Sequence, residues 1–285
     1  MTKASTARSP FPWFGGKQKL ADSIIALFPP HHVYVEVFGG GASVLLSKTP
    51  ANLDVYNDLD EGLVNFFRCL RDEPERLVAL LELTPYSRAE WAHSRATWFT
   101  IDDPVERARR WYVVASQTFG AIAYTGRGWG GERLGRMHLN GAASTANRID
   151  HIWRFVERMR LVQIEALDWR ECLERYDHAD CVFYLDPPYV AATRRSGGYA
   201  HELTDDDHVE LVERVLALEG VAIVSGYEHP SYEPLVAAGG FVRHEYDVAS
   251  TAGRRSVGGK RDRRLEVIWA SPRAAHPTLF SAGAA

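Results

Sequence analysis

Asp186-Pro187-Pro188-Tyr189 closes the apolar run Cys181-Val182-Phe183-Tyr184 and sets a carboxylate, two prolines and an aromatic ring side by side. An ionised Asp186 only accepts hydrogen bonds, and Pro187 offers a carbonyl on a stretch with no N–H to compete. Together they suit a flat heterocycle bearing an exocyclic amino group, with Asp186 and the Pro187 carbonyl accepting its two N–H bonds and Tyr189 against its face. Taken alone, Asp-Pro-Pro suits a plain strand exit equally well, because both residue types favour turns.

Two further clusters could hold a second ligand. Val33-Tyr34-Val35-Glu36-Val37-Phe38 runs into Gly39-Gly40-Gly41-Ala42-Ser43, a strand meeting a glycine turn that opens a helix and allows close backbone approach. The dinucleotide pattern G-x-G-x-x-G fails at Val44 and no Walker lysine follows, so neither a pyrophosphate cofactor nor a P-loop is favoured. Glu36 stands where the polar end of a cofactor would be met. Asp58, at the end of the next strand, has the place of a carboxylate that grips ribose hydroxyls, and it also suits a helix N-cap for the segment starting at Leu59. A nucleoside-bearing cofactor without a pyrophosphate follows. Nearer the N-terminus, Phe11-Pro12-Trp13-Phe14-Gly15-Gly16-Lys17 offers an aromatic wall for a positive centre and an ammonium for a carboxylate; the same heptad would also serve as a hydrophobic staple.

The elements that must carry these groups alternate. β-rich runs occupy Val33–Phe38, Leu53–Asn57, Leu161–Glu165, Cys181–Asp186, Val221–Ser225, Phe241–Val248 and Leu265–Ala270. Helical periodicity occupies Gln18–Phe28, Leu59–Arg71, Pro104–Gln117, Asp150–Met159, Asp205–Leu218 and Ser231–Ala238. Strands alternating with helices predict an open α/β sheet. The stretch from about residue 68 to 158 breaks the rhythm, helical and then loop-rich around Gly126-Arg127-Gly128-Trp129-Gly130-Gly131, and reads as an inserted subdomain. The expected division is therefore 1–67 with 159–270, an insert over 68–158, and an Ala/Pro/Ser-rich tail from Ser271 to Ala285, both chain ends being expected to be mobile.

Composition bounds the class. The 285 residues are 46% hydrophobic and 25% charged, as in a globular protein with a sizeable core. Cys69, Cys172 and Cys181 are far apart, which suggests neither a disulfide framework nor a zinc site, and a reducing, cytoplasmic compartment is expected. There is no apolar run of about 18 residues, so neither export nor membrane insertion is expected. His31-His32, His201 and His208 lack ligand spacing, predicting surface or capping roles and no metal. The net charge of −4 hides two basic stretches. Arg127 to Arg160 holds seven arginines against three acids, and Arg243 to Arg264 holds six arginines and a lysine against three acids, a local +4 in each. Either could meet phosphates or be ordinary solvated surface.

The order Pro12-Trp13-Phe14-Gly15-Gly16-Lys17, then Glu36-Val37-Phe38-Gly39-Gly40-Gly41, then Asp186-Pro187-Pro188-Tyr189 resembles the Dam-type DNA adenine-N6 methyltransferases (D12 class, alpha group), most of all their phage- and restriction-associated members. The resemblance runs from Phe11 to Trp269. It implies a Rossmann-like sheet with helices on both faces, a mainly helical target-recognition insert, and S-adenosylmethionine as methyl donor. Carried over by position, Trp13 and Lys17 would contact the donor, Phe38 with Gly39 and Gly41 would shape its pocket, and Asp58 would hold its ribose. Asp186 would lie where donor and target adenine meet, with Pro187 and Tyr189 on the adenine side. The Phe-Gly-Gly-Gly turn departs from relatives that carry a bulkier residue before the last glycine.

The chemistry agrees with that likeness. An adenine amino lone pair is delocalised into the ring, so a catalyst must hold both N–H groups and turn the lone pair toward the methyl; alignment matters more than a strong base. A base within duplex DNA must first be flipped out, and Tyr189 would restore a stacking partner. In the insert, Arg127, Arg133, Arg136, His138 and Asn140 are the side chains suited to base edges or phosphates. Arg194 and Arg195 open a segment, Arg194 to Tyr199, that reads as a flap near the flipped base or as an inert loop. Arg254, Arg255, Lys260, Arg261, Arg263 and Arg264 suit phosphates or a solvated hairpin. The expected partner is double-stranded DNA, with a cognate restriction endonuclease as a candidate second partner and a monomer as the expected state. Alternatives are N4-cytosine methylation, a non-catalytic DNA-binding module that has kept the fold, and methylation of RNA or a protein amide. Cys172 and Cys181 read as buried residues, which disfavours a cytosine-C5 enzyme.

Overall fold

The computed structural model describes residues 8–118, 128–130, 141–193, 201–249 and 263–275. Along the chain run α1 (Ala21–Ile25), β1 (Val33–Glu36), α2 (Ser43–Ser47), β2 (Leu53–Asn57), α3 (Glu61–Asp72), α4 (Pro74–Glu82), α5 (Arg88–Thr97) and α6 (Pro104–Gln117). There follow α7 (Gly141–Asp150), α8 (Ile152–Met159), β3 (Val162–Glu165), α9 (Trp169–Tyr176), β4 (Cys181–Leu185), α10 (Asp205–Ala217), β5 (Val221–Gly226), α11 (Glu233–Ala237), β6 (Val242–Ala249) and β7 (Arg263–Ala270). The strands form one seven-stranded sheet in the order β3-β2-β1-β4-β5-β7-β6. β3 through β5 are parallel; β7 runs antiparallel between β5 and β6. The expected α/β architecture is the observed one.

Strand order reverses between β1 and β4, and in open α/β sheets ligands gather at the carboxyl ends of the strands beside such a switch. Period-two geometry then decides which side chains meet there. Val35, Val55, Phe183, Val224 and Trp269 belong to one apolar layer, where they pack with Trp169, Leu173, Leu211 and Leu235 of α9, α10 and α11. Tyr34, Tyr56, Tyr184, Ile223 and Ile268 belong to the opposite layer, with α1, α2 and the helices between β2 and β3. Counting on by two, Glu36, Asp58, Asp186 and Glu266 fall on this second face. Register staggers them by single pleats: Glu36 pairs with both Tyr56 and Tyr184, so Asp58 and Asp186 lie two residues farther along, and Ser225 pairs with Ile268, which sets Glu266 two residues beyond Asp186. Burial of both faces explains why the strands read as nearly unbroken apolar runs.

The segment between β2 and β3 is helical among its described residues, and it shares the sheet's core. Leu63, Phe66 and Phe67 of α3, Leu77 and Leu81 of α4, Trp111 of α6 and Phe155 of α8 are buried in the same cluster as Tyr34, Tyr56 and Val182. A buried ion triad adds a tie: Asp54 of β2 accepts from Lys48 Nζ at 2.7 Å and from Arg158 Nη2 of α8 at 2.6 Å.

Several expectations need correction. The first helix ends at Ile25 rather than Phe28, and Leu27 and Phe28 make tighter bonds to Ile24 and Ile25; Pro29-Pro30 disfavours helix in the residue before it. Helix α9 lay outside the periodic segments, although Asp168 caps it and Trp169, Cys172 and Leu173 recur at helical spacing. Asp60, not Asp58, is the N-cap of α3, its carboxylate accepting from Gly62 N and Leu63 N. His208 is neither surface nor cap but fully buried, its Nδ1 2.9 Å from Tyr232 OH. The start of the expected tail is docked: Ser271 N donates to Ala222 O, Ala274 is buried, and Ala275 N donates to Leu27 O. Among the described residues, no helix is long and apolar enough to cross a membrane.

Candidate active site

The glycine turn after β1 is pinned from three directions. Gly40 has φ of +47°, a conformation that glycine adopts without strain, and its N–H donates to Asp58 Oδ2 at 2.8 Å. Its carbonyl accepts from Tyr56 OH at 2.9 Å. A Cβ at Gly39 would fall 2.2 Å from the Tyr56 ring, and one at Gly40 would fall 2.4 Å from Trp13 Nε1. The triple glycine is therefore what lets Tyr56 and Trp13 pack on the loop. Asp58 Oδ1 also accepts from Asp60 N at 2.8 Å, so the same carboxylate joins the turn to the start of α3. Burial raises its pKa, and the hydrogen bonds from Asp60 and Gly40 work against that rise.

Glu36 is almost fully buried and accepts from Leu45 N at 2.9 Å and from Tyr34 OH at 3.2 Å. It thereby ties the first turn of α2 to the sheet. Burial pushes its pKa up to about 8, against the two hydrogen bonds, which favour the charged form.

Lys17 is 7% exposed, and its ammonium is enclosed by acceptors. Nζ donates to Gly15 O at 2.9 Å and to Asp186 Oδ2 at 2.7 Å, and lies 3.3 Å from Glu266 Oε1. It also stands 5.0 Å from the centre of the Tyr189 ring. Burial raises the Asp186 pKa to about 6; the Glu266 charge adds to the rise, while the Lys17 ammonium and the Tyr189 hydroxyl oppose it. Tyr189 is itself buried, donates its phenol proton to Glu266, and meets Tyr227 edge-on with ring centres 4.6 Å apart.

Several of these groups line a pocket that opens to solvent. Its walls bring together Trp13, Lys17, Glu36, Phe38, Gly39, Gly41, Asp58 and Asp186, the eight positions expected to hold a cofactor. Tyr189 and Pro187 are not on this wall, whereas Pro188 is. Phe14, from the expected aromatic wall, and His201, read only as a surface or capping residue, also line the pocket, as do Asn57, Leu167 and Leu203, to which the sequence reading gave no role. Asn57 locks the rim, donating to Val37 O and Leu167 O and accepting from Leu167 N. The sequence reading passed over Glu266 as well, although a lone carboxylate within Leu265-Glu266-Val267-Ile268-Trp269 was the available signal.

Arg127, Arg133, Arg136, His138, Asn140, Arg194 and Arg195, the expected DNA contacts, lie outside the described residues, as do Arg254, Arg255, Lys260 and Arg261. The described base of the insert loop is held by an antiparallel bridge between Thr118 and Trp129 and by Trp129 Nε1 donating to Gln117 Oε1 at 3.3 Å. Among the described residues, no group of three or more His, Cys, Asp or Glu side chains is placed to hold a metal ion. The three cysteines are buried and unpaired, and burial raises each thiol's pKa.

The chain is 26% identical over 272 residues to the type II methyltransferase M1.LlaDCHI of Lactococcus lactis subsp. cremoris, covering 90% of this chain and 92% of that protein. It is also 24% identical over 202 residues to the modification methylase StsI of Streptococcus sanguinis, covering 65% of this chain and 29% of that longer protein. Residues 13–219, which carry the aromatic-glycine-lysine segment, the glycine turn and the Asp-Pro-Pro-Tyr loop, match the D12 class of N6 adenine-specific DNA methyltransferases, and the chain belongs to that family.

Proposed function

We propose that the pocket binds S-adenosylmethionine and that Asp186 is the acceptor that aligns the adenine amino group for DNA adenine-N6 methylation. The observation that carries this reading is the convergence of Glu36, Asp58 and Asp186, from three different strands, on one pocket beside the Trp13 and Lys17 segment. The residues present fit the donor: apolar rings from Trp13, Phe14 and Phe38, a ribose-gripping carboxylate in Asp58, and backbone approach at the glycine turn. When bound, the donor supplies a methyl group on a positively charged sulfur, which makes that carbon electrophilic.

The chain's own groups do the rest. Asp186, ionised above about pH 6, accepts one amino N–H, and the Pro187 carbonyl accepts the other. Holding both turns the nitrogen lone pair toward the methyl and restrains the base, which is alignment rather than general-base catalysis. Tyr189 gives the extruded base an aromatic neighbour. Segment 68–158 serves as the target-recognition subdomain, with Arg127, Arg133, Arg136 and Asn140 toward DNA and Arg194 and Arg195 at a flap. We take the enzyme as a cytoplasmic monomer, with a restriction endonuclease as its candidate partner.

Incubating the purified protein with labelled S-adenosylmethionine and unmethylated genomic DNA is expected to give N6-methyladenine in the digest. Asp186→Ala is expected to abolish transfer and retain DNA binding in a gel-shift assay. Label confined to cytosine, or full activity in the variant, overturns the reading.

A further inference from the structure

Glu266 belongs to none of the three motifs, yet it touches two of them. It sits on β7, on the same face as Glu36 and Asp186, and it is buried. A carboxylate in such a place is costly unless hydrogen-bonded or paired. Its partners are the Lys17 ammonium, from the N-terminal segment, and the phenol of Tyr189, from the Asp-Pro-Pro-Tyr loop. Both partners are also the groups that compete for Asp186. Lys17 donates to Asp186 Oδ2 at 2.7 Å, and the Tyr189 hydroxyl is near enough to stabilise the Asp186 carboxylate. A phenol has one proton, so a proton given to Glu266 is withheld from Asp186. An ammonium shared between two carboxylates binds each less tightly than one given wholly to a single partner.

We propose that Glu266 is a positioning residue for methyl transfer, drawing the Lys17 ammonium and the Tyr189 phenol toward itself so that Asp186 stays available to the adenine amino group. The inference rests on Asp186 being the amino-group acceptor. Glu266 touches neither substrate; it acts through Lys17 and Tyr189. The titratable groups that face Asp186 are Lys17 from the N-terminal segment, Tyr189 from its own loop, Tyr184 of β4, Glu36 of β1, Glu266 of β7 and Tyr232 ahead of α11. Of these, Glu266 is the carboxylate that shares Lys17 with Asp186.

The test is Glu266→Gln in the full-length enzyme, assayed with labelled S-adenosylmethionine and unmethylated genomic DNA across pH, beside Asp186→Ala. Glutamine keeps the shape and an acceptor for the phenol but loses the charge that shares Lys17. The expected kcat falls on the order of ten- to a hundredfold, the worth of one hydrogen bond to a charged group. KM for S-adenosylmethionine and the melting temperature stay near wild type, and the acidic limb of the kcat profile moves to lower pH. That last change separates positioning from a merely structural role, because a loosened fold lowers kcat without moving the limb. If Glu266→Gln does not purify folded, Glu266→Asp, which withdraws the charge by one methylene, is expected to move kcat and the limb in the same directions by less. A wild-type kcat, or a lowered kcat with the limb in place, overturns the inference while an inactive Asp186→Ala leaves the site reading standing. An active Asp186→Ala removes the reading beneath it.

Discussion

A carboxylate buried among tyrosines behaves differently from one at a surface, and Glu36 is the clearest case in this molecule. Its carboxyl is held by Leu45 N and Tyr34 OH, yet burial wins and lifts its pKa from 4.5 to about 8. The folded state therefore binds the Glu36 proton more tightly than the unfolded chain does. The stability this contributes is fully present below about pH 4.5 and is lost as pH rises through about 8. Denaturant midpoints measured across that interval are expected to fall with rising pH in the wild type and to fall less in Glu36→Gln, which carries no proton to lose. An equal slope in both proteins would remove Glu36 from the effect. Asp186 adds the same sign of dependence over a shorter interval, up to about 6.

At the scale of elements, the turn between β1 and α2 matters more than either element's length. Four residues from Gly39 to Ala42 redirect the chain, with Gly40 at φ +47° and Ala42 at φ +54°. The shape is imposed from outside by Trp13, from the N-terminal segment, and by Tyr56 and Asp58, from the end of β2. Gly39→Ala tests this directly, because its new methyl would sit 2.2 Å from the Tyr56 ring and must move it. We expect a loss of roughly 1–3 kcal/mol in unfolding free energy, the usual cost of overpacking, with weaker S-adenosylmethionine binding by calorimetry. Unchanged affinity would mean that Tyr56 moves without carrying Gly40. The presence of a glycine turn was readable from the local run of residues; its partners were not, because nothing in that run says which ring lies over it.

For the molecule as a whole, the decisive feature is that the helical segment between β2 and β3 shares its core with the sheet. Phe66, Phe67, Trp111 and Phe155 are buried in one cluster with Tyr34 and Tyr56, and the Asp54 triad joins α8 to β2. Calorimetry is expected to show one cooperative transition rather than two. Asp54→Ala strands the Lys48 and Arg158 cations in the interior, and breaking a buried pair in this way costs about 3–5 kcal/mol. A melting temperature within a degree or so of wild type would show that water reaches the site and that the triad is not dry. The helical segment was visible in the sequence as a break in rhythm, but its attachment was not. Lys48 just after α2 and Asp54 of β2 meet Arg158 of α8, about a hundred residues on, only when the chain folds.

What the sequence determined by itself was local: strand and helix periods, glycine and proline punctuation, and three motifs whose order names a family. Each is written in neighbouring residues, so a strand's alternation and a loop's donors and acceptors are legible before any contact is known. What only the tertiary structure decided was which distant groups meet. Lys17 bonds to Asp186, Asp58 holds Gly40, and Glu266 accepts from the Tyr189 hydroxyl because the order β3-β2-β1-β4-β5-β7-β6 brings those strand ends together on one face. A lysine can serve a ligand's carboxylate or the protein's own, and its residue type does not distinguish the two. In the structure the Lys17 ammonium lies between Asp186 and Glu266, 2.7 Å from one carboxylate and 3.3 Å from the other, a placement that no run of neighbouring residues records.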